Sequence, residues 1–142
     1  MTTKPKTQPK PPEDFLSTFG HDEAKETEGV WLKFAPGVEF KVASFQSKAY
    51  VAAIERERQK LAVMGRELTE DETNEAVTKA MASAILRGWR GVNRGGQPID
   101  CTPEEALIVL TKSREAHNFV LISASKQSNY RLKAMEGDAG HS

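Results

Sequence analysis

The side chains that most often carry chemistry are sparse in this sequence. Its three histidines are His21, His117 and His141. None of them lies four residues from another His or Cys, the helical spacing that places two zinc ligands side by side. We therefore predict no metal site.

Two further features contain residue types found in catalytic groups. Cys101 precedes a predicted helix start, where a thiol pKa can be lowered, but a quiet, half-buried thiol fits the same position better. Glu104 and Glu105 are adjacent carboxylates, yet a place in the first turn of a helix explains both through capping and the helix dipole. We expect no catalytic residue and no enzymatic activity.

The glycine-rich segment NRGGQP, at residues 93–98, is predicted to be a loop. Gly95 and Gly96 permit positive φ angles, and Pro98 excludes the helical conformation for Gln97. The segment matches neither G-x-x-x-x-G-K nor G-x-G-x-x-G and does not follow an apolar strand. We therefore predict neither a phosphate-binding loop nor a cofactor.

The overall composition narrows the class of protein. The 142 residues fit one domain, and 20 basic residues balance 20 acidic ones. DNA-binding proteins usually carry an excess of Lys and Arg, so no nucleic-acid partner is expected. No apolar run approaches the roughly 20 residues that span a bilayer, and the Lys- and Pro-rich beginning lacks the apolar stretch of a secretory signal. A single cysteine suits a reducing compartment, so we expect a cytoplasmic protein without membrane association.

The sequence divides into three segments. Residues 1–28 are rich in Pro and Lys and too poor in apolar residues to offset the entropy of ordering, so disorder is predicted. Within them, Phe15, Leu16 and Phe19 have the spacing of a short docking helix, although an isolated hydrophobic spot is the favoured interpretation. Residues 29–135 are predicted to form a β-hairpin plus a helical domain, and residues 136–142 a frayed tail.

The hairpin is predicted at residues 30–42, where apolar and polar residues alternate on both sides of an Ala-Pro-Gly break. An odd loop centred on Pro36 puts all the apolar residues on one face, whereas a two-residue loop would mix the faces. The predicted pairs are Val30 with Val42, Trp31 with Lys41, Leu32 with Phe40, Lys33 with Glu39, and Phe34 with Val38. This register implies a Lys33–Glu39 ion pair and a cation–π contact between Lys41 and Trp31.

Four helices are predicted after the hairpin. The first covers residues 46–64 and stops at Gly65. The second begins with a Thr69–Glu72 capping box and continues to residues 88–91. The third begins at Thr102, and the fourth runs from residue 113 or 114 to 132. The predicted fold class is therefore mainly α with a small N-terminal β-hairpin (α+β), in a single domain.

Four aromatic residues are the candidates for partner binding, namely Trp31, Phe34, Phe40 and Trp89. The first three lie on the hairpin, whose one-sided apolar face needs a cover. Trp89 lies beside Gly88 and Gly91 at the predicted end of a helix. It either seals the corner between two helices or presents an anchor to a partner, and the corner is favoured.

The runs LRGWRGVNRGGQPI at residues 86–99 and CTPEEALIVL at residues 101–110 resemble tail assembly chaperones of long-tailed bacteriophages. In that family a helix ends in a tryptophan-centred turn, a Gly-x-Pro connection follows, and the next helix opens with Thr or Ser and a Pro/Glu pair. A short β segment like GVWLKF…VEFKV, a long charged helix and a closing helix with an early aromatic, here Phe119, also match. The resemblance covers residues 29–132.

The resemblance implies a non-enzymatic protein that binds the tape measure protein, keeps it soluble and promotes tail-tube polymerisation around it. It also implies a short form, a longer frameshifted form that contacts tail-tube subunits, self-association, action in the host cytoplasm and absence from the mature virion. Two alternatives remain open: a structural phage component, such as a head–tail connector or tail-terminator subunit, and a small DNA-binding regulatory domain. The last is disfavoured because the third helix starts with two acids where phosphates would lie.

Overall fold

The computed structural model describes residues 9–132 of the chain. The predicted frayed tail at residues 136–142 lies outside this range. The helices are α1 (Phe15–Phe19), α2 (Glu23–Glu28), α3 (Lys48–Ala62), α4 (Glu70–Ala84), α5 (Pro103–Lys112), α6 (Arg114–Ser125) and a closing 3-10 helix (Gln127–Tyr130). The strands are β1 (Val30–Ala35), β2 (Val38–Val42), β3 (Leu86–Arg90), β4 (Asn93–Arg94) and β5 (Gln97–Pro98).

The predicted fold class is wrong in its β component. Residues 9–132 contain six α-helices and five strands in two sheets, so the strands are not confined to an N-terminal hairpin. An antiparallel sheet has the order β1-β2-β3, and β4 and β5 form a separate two-stranded ribbon. Strand β3 comes from the segment for which a continuation of the second helix was predicted. Its backbone pairs with β2, from which some 40 residues separate it, and this long-range pairing overrides the helical periodicity.

The hairpin register is confirmed for four of the five predicted pairs and wrong at the turn. The structure pairs Ala35, not Phe34, with Val38 and shifts register between Lys33 and Ala35. The turn is therefore the two-residue Pro36-Gly37, with Gly37 at a φ of 76°, a position that suits glycine. A β-bulge between Lys33 and Ala35 adds a residue to β1, so the apolar side chains of the two strands still share one face despite the shorter loop.

The predicted starts of the second and third helices are confirmed. Thr69 Oγ1 accepts from Glu72 N at 3.1 Å, and Glu72 Oε1 accepts from Thr69 N at 2.9 Å, which completes a capping box before α4. Thr102 caps α5, and Pro103 occupies its first turn. Helix α6 ends at Ser125, earlier than the predicted residue 132, and the 3-10 helix follows it.

The N-terminal segment differs from the predicted disorder from residue 9 onward, because it contains α1 and α2 and is joined to residues 130–132. Asp22 N donates to Tyr130 O, and Leu132 N donates to Gly20 O, both at 2.8 Å. Ser44 N donates to Glu26 O at 2.8 Å. These backbone bonds do not depend on apolar content, so hydrophobicity alone did not predict them.

The core lies between the inner face of the sheet and helices α4, α5 and α6. Phe40, Met81, Ile85, Leu110 and Val120 are among its fully or almost fully buried members. The ring of Phe34 lies 5.0 Å from that of Phe40 and 5.3 Å from that of Phe119, centroid to centroid. Aromatic contacts of this kind stabilise a core beyond the area they bury.

Candidate partner-binding surfaces

The four aromatic candidates do not form one surface. Phe40 is 2% exposed, and Phe34 is half-buried against it, so both rings belong to the core. Trp31 is 38% exposed and lies on the opposite face of the sheet. Trp89, on β3, pairs with Phe40 and packs against the core.

Trp89 lies in strand β3 and not at the end of a helix, so the predicted corner between two helices is replaced by one between the sheet and the β4–β5 ribbon. Its indole Nε1 donates to Ile99 O at 2.6 Å, which ties β3 to the chain that follows β5. The adjacent Gly91 has a φ of 79°, and a methyl group there would overlap Gly37 O. The corner between sheet and ribbon is therefore tightly packed.

The outer face of the three-stranded sheet is basic and aromatic. The guanidinium of Arg90 lies 3.8 Å from the centre of the Trp31 ring, a cation–π contact predicted for Lys41 instead. Glu39 pairs with Arg90 at 3.2 Å, whereas its predicted partner was Lys33. Both corrections follow from β3, which brings Arg90 opposite Glu39. Lys33 and Lys41 make no ion pair within residues 9–132, so the face carries a net positive charge.

The connection between α3 and α4 exposes apolar side chains. Val63 is 87% exposed and Met64 48%, and Leu68 is also exposed. We call residues 63–71 the arm tip. Arg66 gives it a defined shape, because its two terminal nitrogens donate to the two carboxylate oxygens of Glu72 at 2.8 Å each. These hydrogen bonds lower the pKa of the Glu72 carboxyl to about 2.

A groove of about 490 Å³ lies between α4 and the α5–α6 pair. Its lining residues are Asn74, Glu75, Thr78, Lys79, Leu107, Leu110, Thr111, Arg114 and His117. Its apolar lining residues are the half-buried Leu107 and the almost fully buried Leu110. The rim is polar and contains a Glu75–Lys79 ion pair at 3.2 Å, while Thr78 Oγ1 lies 3.4 Å from His117 Nε2.

Cys101 and Glu105, whose residue types are common in catalytic groups, make structural contacts. Burial raises the pKa of the Cys101 thiol to about 11, so the thiol is protonated at neutral pH. Arg94 donates to Glu105 and lowers the pKa of that carboxyl. Within residues 9–132, His, Cys, Asp and Glu form no group of three or more suited to a metal ion. No helix in that part of the chain is both long and apolar enough to cross a bilayer.

Sequence reasoning missed the groove, the arm tip and the basic sheet face. The groove depends on three helices whose relative placement no local pattern predicts. The arm tip did have a signal, since Val63, Met64 and Leu68 flank Gly65, a helix stop. The net positive charge of the sheet face could not be predicted without strand β3, because Arg90 of that strand pairs with Glu39 and leaves Lys33 without its predicted partner.

Comparison with known proteins assigns the chain to a phage family. The family model described as "YdaY prophage protein" matches residues 45–141, well over half of the chain. The match contains α3 to α6, β3 to β5 and the groove, whereas α1, α2 and the β1–β2 hairpin precede it. No curated protein and no solved structure matches the chain. The chain belongs to the YdaY prophage protein family and is phage-derived.

Proposed function

We propose that this phage protein is a tail assembly chaperone, which binds the tape measure protein, keeps it soluble and promotes tail-tube polymerisation around it. It acts without enzymatic turnover, in the host cytoplasm, and is absent from the mature virion. A longer frameshifted form contacts the tail-tube subunits. The observation that carries the proposal is the groove between α4 and the α5–α6 pair.

The groove has the form that receives an amphipathic helix. Such a helix places its apolar face on an apolar floor through residues spaced three and four apart. Here the apolar lining is Leu107 and the almost fully buried Leu110. The α4 wall runs from Asn74 to Lys79, roughly 8 Å at 1.5 Å per residue, which matches between one and two turns of a bound helix.

The charged side chains at the rim of the groove suit a partner that carries both acidic and basic side chains. Glu75 and Lys79 lie on the α4 side, and Arg114 lies on the α6 side. Rim charges of this kind contribute more to association rate and register than to affinity. Long helical proteins with exposed apolar stripes aggregate in water, and covering one stripe removes the surface through which they associate.

Co-expression with the tape measure protein of the same phage genome tests the proposal. We expect the tape measure protein to be soluble only in the presence of this chain, and the two to elute together. Thr111→Arg places a long cation in the groove and should abolish co-elution. Gln59→Arg adds the same charge on α3, away from the groove, and should not.

Two results would contradict the proposal. One is a tape measure protein that stays insoluble while this chain elutes alone as a discrete ring and is present in purified virions, as a connector or tail-terminator subunit would be. The other is a soluble complex that Thr111→Arg and Gln59→Arg leave equally intact, because the groove would then not be the binding site.

A further inference from the structure

Two exposed surfaces of the chain have complementary chemistry. The arm tip combines Val63, Met64 and Leu68 with the acids Glu67, Glu70 and Asp71, while the outer sheet face combines Trp31 with Lys33 and Lys41. We propose that the arm tip of one copy docks on the outer sheet face of the next, so that the chain self-associates head to tail. This inference does not depend on tape measure binding.

The charges that remain after internal pairing are opposite on the two surfaces. At the arm tip Arg66 neutralises Glu72, and Glu67, Glu70 and Asp71 have no ion-pair partner within residues 9–132. On the sheet face Arg90 neutralises Glu39, which leaves Lys33 and Lys41. Complementary potentials of this kind favour the correct pairing of surfaces and suppress like-with-like contact.

The apolar parts are also matched. Val63 and Met64 protrude at the end of α3, and the Trp31 ring is 38% exposed on the sheet, with its edge near Gly88. A Cβ at Gly88 would lie 3.6 Å from Trp31 Cη2. Tryptophan is among the residue types enriched in interface hot spots.

The two surfaces of one copy cannot meet. The arm tip lies at the N-terminal end of α4 and β3 follows the C-terminal end, so most of the length of α4 separates them, roughly 20 Å at 1.5 Å per residue. The docking residues therefore belong to different copies. Because the two surfaces differ, the contact is heterologous and adds copies into a chain or ring instead of closing a symmetric dimer.

Mixing two charge-reversed variants of the full chain tests this inference without any tape measure protein. Lys33→Glu with Lys41→Glu reverses the charge of the sheet face, and Glu67→Lys with Glu70→Lys reverses that of the arm tip. Each variant retains one intact surface. The control for the sheet-face variant is Lys48→Glu with Lys126→Glu, which makes the same charge change at exposed positions outside both surfaces.

We expect wild type to show a mass that rises with concentration in sedimentation equilibrium from about 10 μM to about 1 mM, since so small an interface associates weakly. Each surface variant alone should associate at least tenfold more weakly, and the control should match wild type. An equimolar mixture of the two surface variants should associate more strongly than either variant alone, because the intact tip of one meets the intact sheet face of the other and the two reversed surfaces are again opposite in charge. This recovery also demonstrates that both variants are folded.

A wild-type chain that stays monomeric over the whole range would overturn the inference and assign these surfaces to another partner. So would surface variants that associate as well as the control. Loss of association with intact tape measure binding would leave the proposed function standing, whereas the reverse result would remove the function and leave head-to-tail association.

Discussion

The sheet and the arm tip are stabilised by different forces. The sheet buries Phe40, Val42 and Leu86 against three helices, so its free energy comes mainly from removing apolar area from water. The arm tip buries almost nothing and is shaped by polar bonds, the Thr69–Glu72 capping box and the Arg66–Glu72 pair. The tip can therefore present apolar side chains to a partner without a cost to folding, whereas the inner face of the sheet cannot give up its aromatics Phe34 and Phe40.

The largest expected effect is that of Phe40→Ala. Removing a fully buried ring leaves a cavity among Phe34, Phe119 and the helices, so we expect the free energy of unfolding to fall by about 3–5 kcal/mol. Urea denaturation measures this fall in the free energy of unfolding. At the arm tip, Val63→Ser should change this free energy by no more than about 0.5 kcal/mol. Equal losses in the two variants would remove the distinction between the regions.

Gly91→Ala should cause the next largest loss. The residue has a φ of 79°, and its added methyl group would overlap Gly37 O at the end of the hairpin. We expect a loss of about 2–3 kcal/mol in thermal unfolding, since strain and steric overlap add. Gly95→Ala is the control: its φ is 58° with nothing within 4 Å, so it should lose about 1 kcal/mol. A Gly91 variant as stable as the Gly95 variant would show that the hairpin end is free to move.

Trp89→Phe should have a moderate effect. The substitution keeps an aromatic ring at the corner but deletes the Nε1 hydrogen bond to Ile99 O. We expect a loss of about 1 kcal/mol in urea denaturation, with tape measure binding retained. If binding is lost while stability is unchanged, Trp89 is an anchor for the partner and the corner interpretation is wrong.

The smallest effect concerns the pH dependence of the arm tip. The Glu72 carboxyl has a pKa of about 2 when folded, below its ordinary value of 4.5. A lowered folded pKa means that the stabilisation is present above pH 4.5 and is lost as the pH falls from 4.5 toward 2. Glu72→Gln should flatten the dependence of stability on pH in this window, whereas Glu67→Gln should not. Since Glu72 is solvent-accessible, salt should reduce the difference.

Local patterns predicted the parts of the fold that local forces determine. The starts of α4 and α5 followed from capping residues such as Thr69 and Thr102, and the face of each hairpin strand followed from alternation. Strand β3 did not, because the apolar stripe of α4 runs on to Ile85 at helical spacing, and only pairing with β2 makes the backbone extended from Leu86 onward. The same missing strand explains why Arg90 was not predicted as the partner of Trp31 and Glu39.

The partner-binding candidates were predicted less well, for a related reason. Aromatic residues identify surfaces poorly when the layer that covers them is unknown, and here α6, through Phe119, covers Phe34 and Phe40. The groove contains no aromatic residue and no motif. It exists only because α4, α5 and α6 meet at Leu107, Leu110 and His117.

In the proposed complex, the groove between α4 and the α5–α6 pair holds a helix of the tape measure protein. Hydrogen–deuterium exchange on the purified complex and on the chain alone can locate the binding site. We expect binding to slow exchange in two segments, residues 74–79 and 107–117, while the outer sheet face exchanges at the same rate in both samples. Slower exchange confined to the sheet face or the arm tip, with the groove unchanged, would contradict this placement of the partner.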